Sequence, residues 1–377
     1  MIFGFQIPLP LLADYIFAGI CFVSLAISWY YYFTYFNKVK YTAIPENVNL
    51  QPVSIIVASR NEIANLRQNI PLWLAQNYPA FELIIADDGS TDGTSDYVAE
   101  LAETNSRIKL VFLDPEYVKM HGKKIALTLA FKRAMHARFL LTDADCSPAS
   151  DLWLRDMASN FTQDIEIVLG YSPYSHFPGI LNRMIRFETI MTALHYLGFA
   201  FKKKAYMGVG RNLAYTRQVY DRNNGFASHS HVPAGDDDLF VQQASNPKNT
   251  TVCLTPASFT NSKPKTNISE WRRQKKRHMW VGKFYASRVK NQLAPFPISQ
   301  FLFITSFVIW LFAGVWVVYP LAILIIKWTP EWIIFGSRSK KLGSKDLIPW
   351  YPIFNIMHSL WYLVAGLRAF FAKKPKW

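Results

Sequence analysis

The run from Leu11 to Phe36 limits the fold more than any other feature, being overwhelmingly apolar and aromatic with Asp14 its one charged residue. As a helix rising about 1.5 Å per residue it reaches roughly 39 Å, more than the about 30 Å of a bilayer's hydrocarbon core. A cleaved secretory leader carries a basic segment ahead of its apolar stretch. Here no Lys or Arg precedes Lys38, and no short small-residue cleavage pattern comes after the run. The run is therefore expected to be a retained anchor, and Lys38 and Lys40 behind it put the chain beyond them in the cytoplasm.

The pattern returns near the other end. Phe296 to Phe335 is apolar over about 40 residues with Tyr319-Pro320 near its middle, and Leu347 to Phe371 is a further candidate. The basic residues Arg338, Lys340, Lys341 and Lys345, and the closing Lys373, Lys374 and Lys376, all favour the cytoplasm. Both groups cannot be satisfied if Leu347 to Phe371 crosses, so that segment is read either as a span or as an interfacial helix, giving three or four spans in all. These helices read as carrying almost no charge. With 41 Lys and Arg against 26 Asp and Glu, the formal charge is +15, which fits an anionic membrane surface and not nucleic acid. Three cysteines without a C-x-x-C pair exclude a disulfide scaffold and a Cys-rich zinc module.

Between about Pro52 and about Leu293 short β-branched runs alternate with helical stretches. Val53–Val57, Glu82–Ala86, Lys109–Phe112 and Arg138–Thr142 read as strands; Thr91–Glu103 and Lys123–His136 read as helices, and Asn61 can cap an earlier one. Such alternation predicts a doubly wound, mostly parallel α/β sheet, whose ligands bind at the carboxyl ends of the strands. The polar clusters lie there: Ser59-Arg-Asn-Glu62, Asp87-Asp-Gly, and Asp143-Ala-Asp145. Four to six converging carboxylates repel one another unless a cation sits among them. Any one cluster could be a turn or a helix cap; together they point to a site. His229 and His231 read as solvent-exposed loop residues, with metal binding the lesser alternative.

Six motifs in order, Val53-Ser-Ile-Ile-Val-Ala-Ser-Arg-Asn-Glu62, Asp87-Asp-Gly-Ser-Thr-Asp92, His121-Gly-Lys-Lys124, Asp143-Ala-Asp145, Gly235-Asp-Asp-Asp238 and Gln274-Lys-Lys-Arg-His278, resemble those of family 2 glycosyltransferases. The resemblance covers about Pro52 to about Gly282 and implies a GT-A fold, a nucleotide-diphosphate sugar donor, an inverting reaction and Mg²⁺ or Mn²⁺. It implies that Arg60, Glu62 and Asp88 hold the nucleoside, with Lys123 reaching phosphate or base. It makes Asp145 the metal ligand, with Asp143 beside it near the sugar and ribose. Asp237 is the implied base, with Asp236 and Asp238 as neighbours in register. A helix N-terminal acidic cluster is the plainer alternative for these three, since Leu239–Ala244 looks helical. Gln274 and Arg277 would close over the diphosphate, and His278 stands where the family has Trp. Lys124 is next to Lys123, and a solvated surface lysine is the plainer alternative for either. Gly208-Val-Gly-Arg-Asn212 matches a stretch near the acceptor site.

The expected organisation is an anchor over 1–45, a GT-A domain over 50–293 with interfacial helices near 177–204 and 269–290, and a membrane region over 296–377 with two or three spans. The expected function is sugar transfer to a lipid-linked or membrane-associated glycan at the cytoplasmic face of the plasma (inner) membrane. The expected partners include a membrane protein and exclude nucleic acid. A processive polysaccharide synthase and a non-catalytic nucleotide-sugar-binding subunit are the alternatives. A sugar-1-phosphate nucleotidyltransferase would carry a Gly-rich loop after the first strand, where Ser59-Arg-Asn-Glu62 has no glycine.

Overall fold

The first apolar run forms one helix, α1 (Leu9–Thr34). The computed structural model describes residues 9–45, 49–114 and 122–371. The described residues divide into two compact units, one of Lys40–Phe284, the other of residues 9–39 together with 285–371.

Within Lys40–Phe284 the expected alternation is present: β1 (Val53–Ser59), α2 (Ile63–Leu74), β2 (Phe81–Asp87), α3 (Thr94–Thr104), β3 (Ile108–Phe112), α4 (Lys123–Arg133), β4 (Arg138–Asp143), β5 (Cys146–Pro148) and α5 (Trp153–Ala158). Next come β6 (Ile167–Leu169), α6 (Ile180–Phe201), β7 (Leu213–Thr216), α7 (Arg217–Arg222), α8 (Asp238–Ala244), β8 (Thr250–Val252), β9 (Thr260–Ser262) and α9 (Ile268–Val281). Seven strands make one sheet in the order β3-β2-β1-β4-β7-β6-β8, and β5 pairs with β9. β7 runs antiparallel to both neighbours, while the other pairs of the large sheet are parallel. This is a mostly parallel GT-A-type sheet. Val53, Ile55 and Val57 are buried beside Leu83 and Ile85 of β2 and Leu66, Ile70 and Trp73 of α2. Strands buried on both faces lose the polar–apolar alternation, which explains their continuous apolar runs.

Register decides where the polar ends fall. Ser59 of β1 lies opposite Asp87 of β2, and Ala58 opposite Asp143 of β4, so three strands stop level and present their next residues at one edge. Asn61 does not cap α2. It takes φ +56°, and its side-chain oxygen accepts from the Thr91 N–H at 2.8 Å, tying the first strand-end loop to the second. The helix read over 177–204 is α6, and most of its length is buried; an exposed apolar surface is confined to Phe177 and Ile180 at its start.

The second unit adds α10 (Ser287–Leu293), α11 (Pro295–Ala313), α12 (Val318–Lys341) and α13 (Tyr351–Phe371) to α1. Among the described residues, Asp14–Lys38, Ser287–Ala313 and Val318–Lys341 are long and apolar enough to cross a membrane. The long apolar stretch breaks at Gly314–Val317, and Pro320 falls in the first turn of α12, where a missing N–H costs nothing. Lys373, Lys374 and Lys376 lie outside the described residues.

The expectation of almost no charge in these helices needs correcting. Lys327 and Glu331 are fully buried one turn apart on α12, with Nζ 2.7 Å from the carboxylate. Lys327 also donates to Gln300 Oε1 (3.0 Å) on α11, and Gln300 to Ser28 Oγ (2.6 Å) on α1. Ser28 and Tyr351 both donate to Glu331. Tyr32 and Tyr351 share a 2.8 Å bond between hydroxyls. Asp14 is likewise engaged, accepting from Trp310 Nε1 at 2.7 Å and the Val315 N–H at 3.1 Å. Sequence alone could not pair these groups, because the partners lie on four different helices.

Removing one partner of a buried ion pair strands the other charge, at a cost of about 3–5 kcal/mol. Glu331→Leu is therefore expected to lower the thermal unfolding midpoint of the detergent-solubilised protein sharply. The double variant Lys327→Met/Glu331→Leu should recover much of the loss. Equal midpoints for the single variant and the unmodified protein would contradict the role given to the pair.

Candidate active site

The site lies wholly within Lys40–Phe284. At the end of β1, Arg60 reaches Asp88 at 3.3 Å, and Asp88 also accepts from the Gly122 N–H at 2.7 Å. Glu62 accepts from Asn65 at 2.6 Å; burial, and further along Asp145, raise its pKa. Asp87 is buried below them, accepting from Ser90, and burial lifts it to about 6. Asp87 thus serves the turn, and Asp88 is the group of that pair left near Arg60.

Lys123, first residue of α4, stands between two carboxylates. Its Nζ lies 2.8 Å from Asp143 Oδ1 and 3.1 Å from Asp236 Oδ2. Burial disfavours the charge, but Asp143, Asp236 and Asp237 together drive the Lys123 pKa upward, so it stays an ammonium. Asp236 answers in kind: burial would raise it, and Lys123 overrides this and holds it below the ordinary carboxylate range. The β4 end and the Gly235–Asp238 run, about 90 residues apart in sequence, are thereby joined through one cation.

Lys124 is not a solvated lysine. It is buried, donating to the carbonyls of His229 (2.8 Å) and Val232 (3.1 Å), and burial lowers it to about 8. It therefore pins the loop that leads into the acidic run. His229 is buried as well, contrary to the exposed loop position expected for it, while His231 is exposed.

Gly235 takes φ +88°, and a Cβ there would meet Leu239 at 2.7 Å, so only glycine makes this turn. Asp237 is the N-cap of α8. One of its oxygens accepts from the Asp238 N–H and the other from the Gly210 N–H, both at 2.8 Å. Burial first, and the Asp236 charge second, push its pKa up. The acidic-cap alternative is thus true of Asp237 as geometry, but the Gly210 bond and the raised pKa go beyond what a cap needs. Asp238 is turned to its own helix, accepting from the Leu239 N–H at 2.8 Å.

Asp145 is raised by burial first and by the charge of Asp143 second. No group of three or more His, Cys, Asp or Glu gathers as a metal cage among the described residues. Two oxygen donors do fit Mg²⁺ or Mn²⁺, which use one or two carboxylates and complete their shell with substrate phosphate and water. On α9, Gln274 donates to the Tyr174 hydroxyl at 3.3 Å. His278 is exposed at its surface, yet crowding by the surrounding protein first, and the charges of Lys275, Arg277, Arg211 and Lys123 next, lower its imidazole pKa well below the usual range. His121 lies outside the described residues. Of the residues gathered here, Tyr174 is the one that sequence reasoning missed altogether; Lys124 had a signal in His121-Gly-Lys-Lys124, and Gly210 and Arg211 in the Gly-x-Gly-Arg-Asn stretch, without an assigned role.

Two family models match the chain: "Glycosyl transferase family 2" over residues 54–223 and "Glycosyl transferase family group 2" over residues 139–371. The poly-beta-1,6-N-acetyl-D-glucosamine synthase of Staphylococcus aureus is 26% identical over 212 residues, 50% of each chain. An uncharacterized glycosyltransferase of Haemophilus influenzae is 27% identical over 150 residues, covering 40% of this chain and 57% of that protein. The chain thus spans about half the length of these curated relatives. The mannosyltransferase PcManGT from Pyrobaculum calidifontis, in complex with GDP-Man and Mn²⁺, matches with a TM-score of 0.58 at 16% identity. That match covers 93% of this chain and 99% of the other, and at such identity it is a likeness of fold.

Removing the Lys123 charge leaves Asp143 and Asp236 facing each other uncompensated. Lys123→Met is expected to destabilise the protein near neutral pH, by less than the about 3–5 kcal/mol of a fully buried pair because these side chains are partly exposed. Because Asp236 is held below its ordinary pKa, that contribution is present above the unfolded value and disappears as pH falls through the folded one. Thermal unfolding of both proteins across this range checks it: the two midpoints should converge below about pH 4. A gap independent of pH would contradict the assignment.

Proposed function

The chain belongs to the family 2 glycosyltransferases, and we propose that it is a membrane-bound inverting transferase. It moves a sugar from a nucleotide-diphosphate sugar to a lipid-linked or membrane-associated glycan at the cytoplasmic face of the plasma (inner) membrane. The observation that carries this reading is the Lys123 bridge, which gathers Asp143 and Asp236 into one site and sets Asp237 beside it.

In this reading Arg60, Glu62 and Asp88 hold the nucleoside at the ends of β1 and β2. Lys123, Gln274 and Arg277 serve the diphosphate. Asp145 and Asp143 would hold Mg²⁺ or Mn²⁺, which when bound supplies Lewis-acid compensation for the diphosphate charge; the Mn²⁺ of the PcManGT complex supports this choice. Asp237 takes the proton of the attacking acceptor hydroxyl. Two backbone N–H donors fix the carboxylate, and its raised pKa makes it a better base than an ordinary aspartate. Inversion requires the hydroxyl to enter opposite the leaving diphosphate, so one base suffices. Asp236, neutralised by Lys123, is a poorer base, and Asp238 is occupied by its helix.

A single-addition or lipid-acceptor enzyme is favoured over a processive synthase because Lys327 and Glu331, the strongest polar groups of the apolar helices, bond each other and their neighbours. They are not left to line a polar path.

Nucleoside-diphosphate release by the purified protein, over a panel of sugar nucleotides with Mn²⁺ or Mg²⁺ and membrane lipid extract, tests the reading. One donor should turn over. Asp237→Asn should lower kcat by about a hundredfold or more while nucleoside-diphosphate binding persists. The acid limb of the pH–rate profile should lie above the ordinary aspartate value of 3.8, since the base must be unprotonated and its pKa is raised. Binding without turnover of any donor would point instead to a non-catalytic nucleotide-sugar subunit.

A further inference from the structure

Arg211 has no part in the transfer scheme, although it lies between the two halves of the site. Its own carbonyl accepts from Thr142 Oγ1 (3.0 Å), one residue before Asp143, and from Thr260 Oγ1 (2.9 Å) on β9. The residue before it, Gly210, donates its N–H to Asp237. The backbone at Arg211 is thus tied at once to the Asp143 strand end and to the proposed base.

The side chain is held just as closely. Its guanidinium carbon lies 4.4 Å from the centroid of the Tyr174 ring, and the Tyr174 hydroxyl accepts from Gln274 on α9. Arg211 also lies in the field of Asp145 and Asp143. Yet Nη1 is buried and has no hydrogen-bond acceptor. A buried, unpaired donor is costly, more so when charged, and native proteins rarely keep one without use. The cation–π contact with Tyr174 restrains the guanidinium, so the vacant donor is held in place. The planar fork suits phosphate, and Asp143 is already engaged by Lys123.

We propose that Arg211 is a further catalytic residue of this transferase, whose Nη1 donates to a phosphate oxygen in the site. The inference rests on the transferase reading. Two phosphates qualify, that of the donor's diphosphate and that of a phosphorylated lipid acceptor. In the first case the acceptor oxygen bonds to the anomeric carbon and its proton passes to Asp237. The bond from that carbon to the diphosphate breaks with its electron pair on the phosphate oxygen, and Arg211 meets the added negative charge. In the second case Arg211 holds the acceptor's phosphate beside the base.

The test uses the full chain in detergent, with Arg211→Met and Arg211→Lys. Affinities for UDP, GDP, CDP and dTDP, each with Mn²⁺, are compared with those for the bare nucleosides. Turnover is measured with polyprenyl phosphate and with unphosphorylated polyprenol in mixed micelles. If Arg211 serves the donor, Arg211→Met weakens the diphosphate roughly ten- to a hundredfold and leaves the nucleoside unchanged. If it serves the acceptor, diphosphate affinity stays and KM for polyprenyl phosphate rises by a similar factor. Arg211→Lys should retain part of either effect, and it carries the comparison if the Met variant does not fold. A folded variant unchanged in both, or one weakened equally toward nucleoside and diphosphate, overturns the inference. If the unmodified chain binds no nucleoside diphosphate, the transferase reading itself falls, whatever Arg211 does.

Discussion

The Lys123 ammonium between Asp143 and Asp236 is the interaction on which the site depends. A parallel sheet whose strands end level brings their polar ends to one edge, and in this chain those ends are rich in carboxylates. Without a cation the edge would repel itself. Lys123 supplies one from the first turn of α4, and in doing so fixes the Gly235–Asp238 run against β4. Lys124, next in sequence, holds the other side of the same run through two carbonyls. Two adjacent lysines therefore do different work, one compensating charge and one setting a loop. Asp145 stays raised by burial and by Asp143, and in the proposed reading a divalent cation would sit there.

Much of this was legible in the sequence. The β-branched runs Val53–Val57 and Glu82–Ala86 are buried on both faces, so continuous apolar runs identified them. The strand-end acids were legible because a parallel sheet leaves polar residues little choice of place. What pattern cannot show is pairing across long separations. Lys124 looks like any lysine until the 229–232 carbonyls are placed around it. Asn61 has the composition of a helix cap, yet its positive φ turns its side chain to Thr91. Lys327 was hidden by the apolar residues before it and the Trp after it, and its pairing with Glu331 needs the helix to be drawn before it is seen.

The two units handle buried charge by opposite means. In the apolar helices Lys327, Glu331 and Asp14 are all matched by partners, with Ser28, Gln300, Tyr351 and Tyr32 completing the shell around the first two. At the sheet edge the matching is incomplete: Asp145 and Asp237 are both raised, and Arg211 keeps a buried donor vacant. A closed network contributes to a defined packing of helices. An open one costs stability and is retained where a ligand completes it.

The most direct measure of this account is Mn²⁺ uptake followed by electron paramagnetic resonance, with a nucleoside diphosphate present and absent. The protein should bind one Mn²⁺ tightly only when the diphosphate is present, because the site offers two carboxylates and needs phosphate oxygens for the rest. Asp145→Ala should abolish that uptake. Equal uptake by both proteins, or tight binding without the diphosphate, would contradict the claim that these carboxylates await a metal carried in with its substrate.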